Sequence, residues 1–233
     1  MDLQGNSVSP PSLALWKICG LTRETDVAQC LSLAVPYVGF NFHKASKRFV
    51  TPGRAAEVWR LAVRHHGLKL LATHPVAVFV DPTETEIGAA LDLFPELSVV
   101  QFHGNESPRD LARLGRAVGE RTVWKALGIG RAEDLALAAD FQDSATLILF
   151  DSAAIPQGQS VIGGSGKTFD WSWLSTHRPS VAFGLAGGIN PKNVRDALSY
   201  RPRLIDLCSG VEASPGAKNH ELVDALAREM RRP

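Results

Sequence analysis

Short apolar runs recur along the chain at residues 13–19, 37–42, 76–81, 99–102, 122–126, 146–151, 181–186 and 204–208. Each is too short for a helix. They are rich in Val, Ile, Leu and Phe without clean polar alternation, the pattern of strands buried on both faces. The stretches between them carry helical spacing. Thr22 is placed to cap a helix over 22–33, and Thr51-Pro52 opens one over 51–65 with Pro in the first turn. Further helices are predicted over 83–93, 107–118, 131–141 and 220–231. Asn190-Pro191 opens another through 198, and only a short turn is expected over 171–175.

Eight strand–helix repeats predict α/β architecture, a parallel sheet closed into a single (β/α)8 TIM barrel over 13–233. An open doubly wound sheet would need a nucleotide-binding glycine turn after an early strand, and no G-x-G-x-x-G follows one. Residues 1–12 are polar, with Gly, Asn, Ser and Pro, and lack the apolar segment of a signal peptide. They read as a disordered extension.

A formal net charge of +1 implies no basic face, so nucleic acid and membrane surfaces are not expected partners. Three cysteines at spacings that match no zinc or CxxC pattern point to a reducing compartment, the cytoplasm. Cys30 and Cys208 are read as core.

Chemistry in such a barrel sits at the C-terminal ends of the strands. Those ends hold Lys17 to Gly20, Asp81, Gln101 to Gly104, Lys125, Asp151, Ala186-Gly187-Gly188 and Cys208-Ser209-Gly210. Three glycine-containing loops, at Gly164-Ser165-Gly166, Gly187-Gly188 and Ser209-Gly210, can bring backbone N–H groups to an anion, so a phosphorylated small molecule is the expected partner. Asp81 is followed by Pro82-Thr83 and reads as a turn or cap residue. Lys17 and Asp206 are placed to pair inside the barrel. His103 reads equally well as a loop-orienting or a functional residue.

These motifs in this order resemble the phosphoribosylanthranilate isomerase family. The match is carried by Lys17-Ile18-Cys19-Gly20, Ser46 to Val50, Gln101-Phe102-His103-Gly104, Leu149-Phe150-Asp151, Gly163 to Trp171, Ala186 to Val194, and Ser209-Gly210-Val211-Glu212. The resemblance implies an Amadori rearrangement of N-(5-phosphoribosyl)anthranilate in tryptophan biosynthesis, by an enzyme needing no metal or organic cofactor and acting as a monomer or homodimer. It implies Cys19 as general base, Asp151 as general acid, Arg48 on the anthranilate carboxylate, and the three glycine loops on the phosphate. Lys17 and His103 are candidate supports. The chain departs from the family pattern at Asn41, where an aliphatic residue is usual, at Lys47, where proline is usual, and at Asn219, where aspartate is usual. Other readings remain: a different phosphosugar isomerase or epimerase on the same barrel, or a barrel that binds a phosphate ester without turnover.

Overall fold

The structure is a computed structural model that describes residues 14–66, 72–152 and 168–232. Eight parallel strands close in sequence order into a barrel: β1 (Leu15–Ile18), β2 (Tyr37–Asn41), β3 (His74–Phe79), β4 (Val99–Phe102), β5 (Thr122–Ile129), β6 (Leu147–Ser152), β7 (Phe183–Leu185) and β8 (Leu204–Leu207). Helices α1 (Glu24–Ser32), α2 (Pro52–His66), α3 (Glu84–Leu93), α4 (Pro108–Ala117), α5 (Trp173–Thr176), α6 (Val194–Ser199) and α7 (His220–Arg231) lie between and after them. A two-stranded ribbon, β9 (Glu212–Ser214) with β10 (Ala217–Lys218), precedes α7. None of the described helices is long and apolar enough to cross a membrane.

The two-residue period of a strand divides the core in two. Val76 and Val78 of β3, Val99 of β4, Trp124 of β5, Leu147 and Leu149 of β6, and Leu204 of β8 fill the barrel interior. The alternate residues, among them Phe79, Phe102, Ile148, Phe150 and Ile205, pack outward with apolar residues of the helices. Tyr37 meets Trp124 edge-on at 4.8 Å between ring centroids within the interior. The lower interior is therefore solid, and only the upper ends of the strands are free to carry polar groups.

Several elements depart from the sequence expectation, each for a local reason. Residues 131–141 form a 3-10 helix, Ala132–Phe141, not an α-helix. Its buried residues Leu135, Ala138 and Phe141 repeat every third position, the period of that helix. Thr22 does not cap α1; its hydroxyl donates to the Gly216 carbonyl at 2.6 Å. The acids Glu24 and Asp26 serve the first turn instead. Asn190-Pro191 forms a turn, in which Asn190 accepts from the Lys192 N–H, and α6 starts only at Val194. Thr83 and Ser107 each cap their helix within a capping box. Asn219 caps α7 by accepting from the Leu222 N–H. Residues 1–12 and the loop residues Gly164, Ser165 and Gly166 lie outside the described residues.

Candidate active site

Extending the inward parity by one more step on each strand builds the mouth. Cys19 follows Lys17, Asp151 follows Leu149, and Cys208 follows Asp206 at two-residue steps. These residues meet around an open cleft that Arg48, His103, Gly187, Gly188 and Ser209 also line.

On one side, β1 and β8 run in register with Lys17 beside Asp206. The Lys17 ammonium donates to Asp206 Oδ2 at 2.7 Å, wholly out of solvent. Burial opposes its charge, but Asp206 and the Cys19 sulfur more than offset this, and the ammonium is held above the ordinary lysine value. Asp206 is pushed up to about 7 by burial, against the pull of Lys17. The Cys19 thiol is drawn well below its ordinary value. A hydrogen bond from the Cys208 thiol is the largest cause, burial opposes it, and the Lys17 ammonium adds attraction. Room for this cluster comes from Gly39 on β2. A Cβ there would sit 2.9 Å from both Cys19 Sγ and Lys17 Cε.

Three strands round the barrel, Asp151 ends the inward face of β6, 5% exposed. His103 Nε2 lies 3.3 Å from Asp151 Oδ2 without hydrogen-bond alignment. Gly187 has φ +78°, and any side chain on it would collide with Ser152 and with Asp151 Oδ1. Asp81 is turned away from this chemistry. It accepts from the Asn105 N–H at 2.7 Å, and its own N–H donates to Glu106. Glu106 in turn holds the Gly104 N–H and the Lys125 ammonium, so Lys125 is a strut of the loop after β4.

Arg48 is not a free surface group. Its Nε and Nη2 fork onto Glu212, which also accepts from Lys218 Nζ at 2.8 Å and the Gly216 N–H. Burial opposes the charge of Glu212, and these donors more than offset it, so its carboxyl titrates below the usual range. Asn41 accepts from the His43 N–H, fixing the start of the loop that presents Arg48. Opposite, Gly188 also has a positive φ, and Gly210 packs so closely on Ile189 that a Cβ would strike the Ile189 carbonyl. That contact ties the loop after β8 to the loop after β7.

Four buried side-chain polar atoms lack a hydrogen-bond partner among the described residues, and three of them belong to cleft residues: Gln101 Oε1, His103 Nε2 and Asp206 Oδ1. A cleft that gathers unpaired polar atoms is built to receive a polar ligand.

Cys30 is core, as expected, and burial pushes its thiol up to about 12. Cys208 is not; it stands half-buried on the cleft wall beside Cys19. The physical reason is strand alternation: Cys208 shares the inward parity of Leu204 and Asp206, as Gln101 shares that of Val99. Glu106 and the Arg48–Glu212 pair carried no local signal.

The family model for N-(5'phosphoribosyl)anthranilate (PRA) isomerase matches residues 16–229. An N-(5'-phosphoribosyl)anthranilate isomerase of Bordetella pertussis is 40% identical over 208 residues, spanning 87% of this chain and 89% of that protein. A crystal structure of phosphoribosyl anthranilate isomerase from Thermotoga maritima aligns with a TM-score of 0.78 and 32% identity, covering 94% of this chain and 98% of that one. A second solved isomerase, in complex with reduced 1-(o-carboxyphenylamino)-1-deoxyribulose 5-phosphate, aligns with a TM-score of 0.75 and 29% identity over 94% and 98% of the two chains. The order of strand-end motifs, the closed barrel and the likeness over nearly the full length agree: this chain belongs to the N-(5'-phosphoribosyl)anthranilate isomerase family.

Proposed function

We propose that this cleft isomerises N-(5'-phosphoribosyl)anthranilate to 1-(o-carboxyphenylamino)-1-deoxyribulose 5-phosphate, a step of tryptophan biosynthesis, with Asp151 as acid and Cys19 as base. Asp151 protonates the furanose ring oxygen, and the C1'–O bond opens to a protonated Schiff base. The Cys19 thiolate then removes the C2' proton, giving an enolamine that tautomerises to the ketone. The observation that carries this reading is the placement of the Cys19 thiol just past β1, beside the Lys17 ammonium and on the same cleft as the Asp151 carboxylate of β6. The sugar ring lies between an acid and a base drawn from separated strands, as the two proton transfers need.

The Cys208 hydrogen bond and, after it, the Lys17 ammonium favour the Cys19 thiolate, and His103 flanks Asp151. Arg48 meets the anthranilate carboxylate through Nη1, the edge that Glu212 leaves open. Backbone donors around Gly187, Gly188, Ser209 and Gly210 hold the phosphate, and Gly164, Ser165 and Gly166 are assigned the same role by their glycine-rich sequence. A reducing cytoplasm suits an enzyme whose base is a thiolate.

The test is loss of anthranilate-type fluorescence from freshly made phosphoribosylanthranilate. Cys19→Ser should lower turnover by on the order of a hundredfold or more, the worth of a general base, while affinity for a product analogue barely changes. Near-full turnover in that variant removes Cys19 from the mechanism.

A further inference from the structure

We propose that Cys19 and Cys208 form a peroxide-sensitive dithiol that closes to a disulfide across the seam between β1 and β8. Ile18 pairs with Leu207, so the two cysteines are the next residues on neighbouring strands. The Cys19 N–H donates to the Leu207 carbonyl at 2.8 Å, which fixes that register up to the cysteine itself. Neighbouring strands run roughly 4.8 Å apart, inside the Cα separation a disulfide accepts. Both side chains pack in the same interior cluster and both line the cleft, within reach of a small oxidant.

The two sulfurs have different roles. Cys19, with the Lys17 ammonium beside it and its thiol held low, is the sulfur that attacks. Its thiolate takes one oxygen of hydrogen peroxide, the O–O bond breaks, and the departing hydroxide picks up a proton to become water. The sulfur, oxidised by two electrons, is now a sulfenic acid. In the reduced state its hydrogen bond to Cys19 and its burial hold the Cys208 thiol well above its ordinary value, and oxidation of Cys19 removes that charged acceptor. Cys208 then loses its proton, assisted by the Lys218 ammonium 4.0 Å from its Sγ, and attacks the Cys19 sulfur. The S–O bond breaks, hydroxide leaves and is protonated, and a disulfide remains. A resolving thiol beside the first sulfur intercepts the sulfenic acid before irreversible oxidation. The bond formation is independent of the assigned catalytic roles; only the accompanying loss of turnover rests on Cys19 being the base.

The experiment treats the reduced full-length chain with a several-fold molar excess of hydrogen peroxide, enough for two successive oxidations of one sulfur, alkylates remaining thiols, and reads intact mass, peptide map and turnover. The expected product is lighter by two hydrogens before alkylation, carries a Cys19–Cys208 cross-linked peptide, and keeps Cys30 alkylated. Turnover should fall at least about a hundredfold with it and return on adding dithiothreitol. In Cys208→Ser the cross-link is absent, Cys19 proceeds to the sulfinic acid, and dithiothreitol no longer restores activity. Sulfinic acid at Cys19 of the unaltered chain without a cross-link, or a cross-link through Cys30, overturns the proposal. A Cys19–Cys208 cross-link with turnover intact leaves the dithiol standing and overturns Cys19 as the base.

Discussion

Two buried lysines stand on opposite parts of the barrel, and their surroundings differ in kind. Lys125, on β5, donates to Glu106, the Gly104 carbonyl and the Ala126 carbonyl, using every proton it has. Glu106 is equally occupied by two backbone N–H groups. Lys17, on β1, faces one carboxylate and the Cys19 sulfur, and Asp206 Oδ1 has no hydrogen-bond partner among the described residues. A saturated pair fixes a loop. An unsaturated pair leaves charge and acceptor capacity in a dry site, where they act most strongly on a neighbour. By this contrast the half of the mouth built on β3 to β5 is frame, and the half that joins β8 and β1 is reactive.

The largest effect that would sharpen the contrast separates the two strand-end acids. Asp151→Asn keeps size and most hydrogen bonding but cannot donate as an acid. It should cut turnover by on the order of a thousandfold while the protein stays folded and binds product analogue. Asp81→Asn sits in the frame and should stay active. Kinetics of both variants under one set of conditions decide it, and an inactive Asp81→Asn alongside an active Asp151→Asn would reverse the assignment.

Removing each lysine comes next. Lys125→Met strips the cation from a buried carboxylate and should cost about 3 kcal/mol in urea unfolding, with the pH–rate profile of the folded fraction unmoved. Lys17→Met should cost less stability, because Asp206 can take up a proton. Its mark is kinetic. With the ammonium gone the Cys19 thiol ionises less readily, so the acid limb of kcat/KM should move up by about one pH unit and turnover at neutral pH should drop about tenfold. A shifted limb in Lys125→Met, or none in Lys17→Met, breaks the comparison.

The last effect is a slope, small over any single step of pH. Asp206 is held at about 7 in the fold against an ordinary value of 3.8, so the native state binds the extra proton. Its contribution is fully present below the ordinary value and fades as pH rises through about 7. Stability from this group should therefore fall across that window, no faster than about 1.4 kcal/mol per pH unit. Asp206→Asn should flatten this component in pH-dependent thermal melts.

The barrel was legible because its strands are short apolar runs and because α2, α3 and α4 open on Thr, Ser and Pro signals that act locally. Cys19 and Asp151 were legible because a strand that ends in a reactive side chain breaks an apolar pattern. Arg48 was found only through the resemblance, and its hold on Glu212 spans 164 residues, beyond any local pattern. Cys208 was hidden by its own apolar character, although the alternation of its strand places it. The strand β3 was expected to reach Asp81, yet it stops at Phe79, and Asp81 takes φ +46° under the grip of the Glu106 network.

The seam between β1 and β8 has a consequence for synthesis. Lys17 emerges from the ribosome 189 residues before Asp206. Asp26, on the first helix, likewise waits for the Lys218 N–H and the His220 ring that will grip it. Until those partners arrive, the nascent chain has a lysine it cannot bury and an open edge on its first strand. Closure of the barrel and assembly of the thiolate site are thus one late event, and a ribosome-bound chain stalled before residue 204 has no complete pocket to occupy.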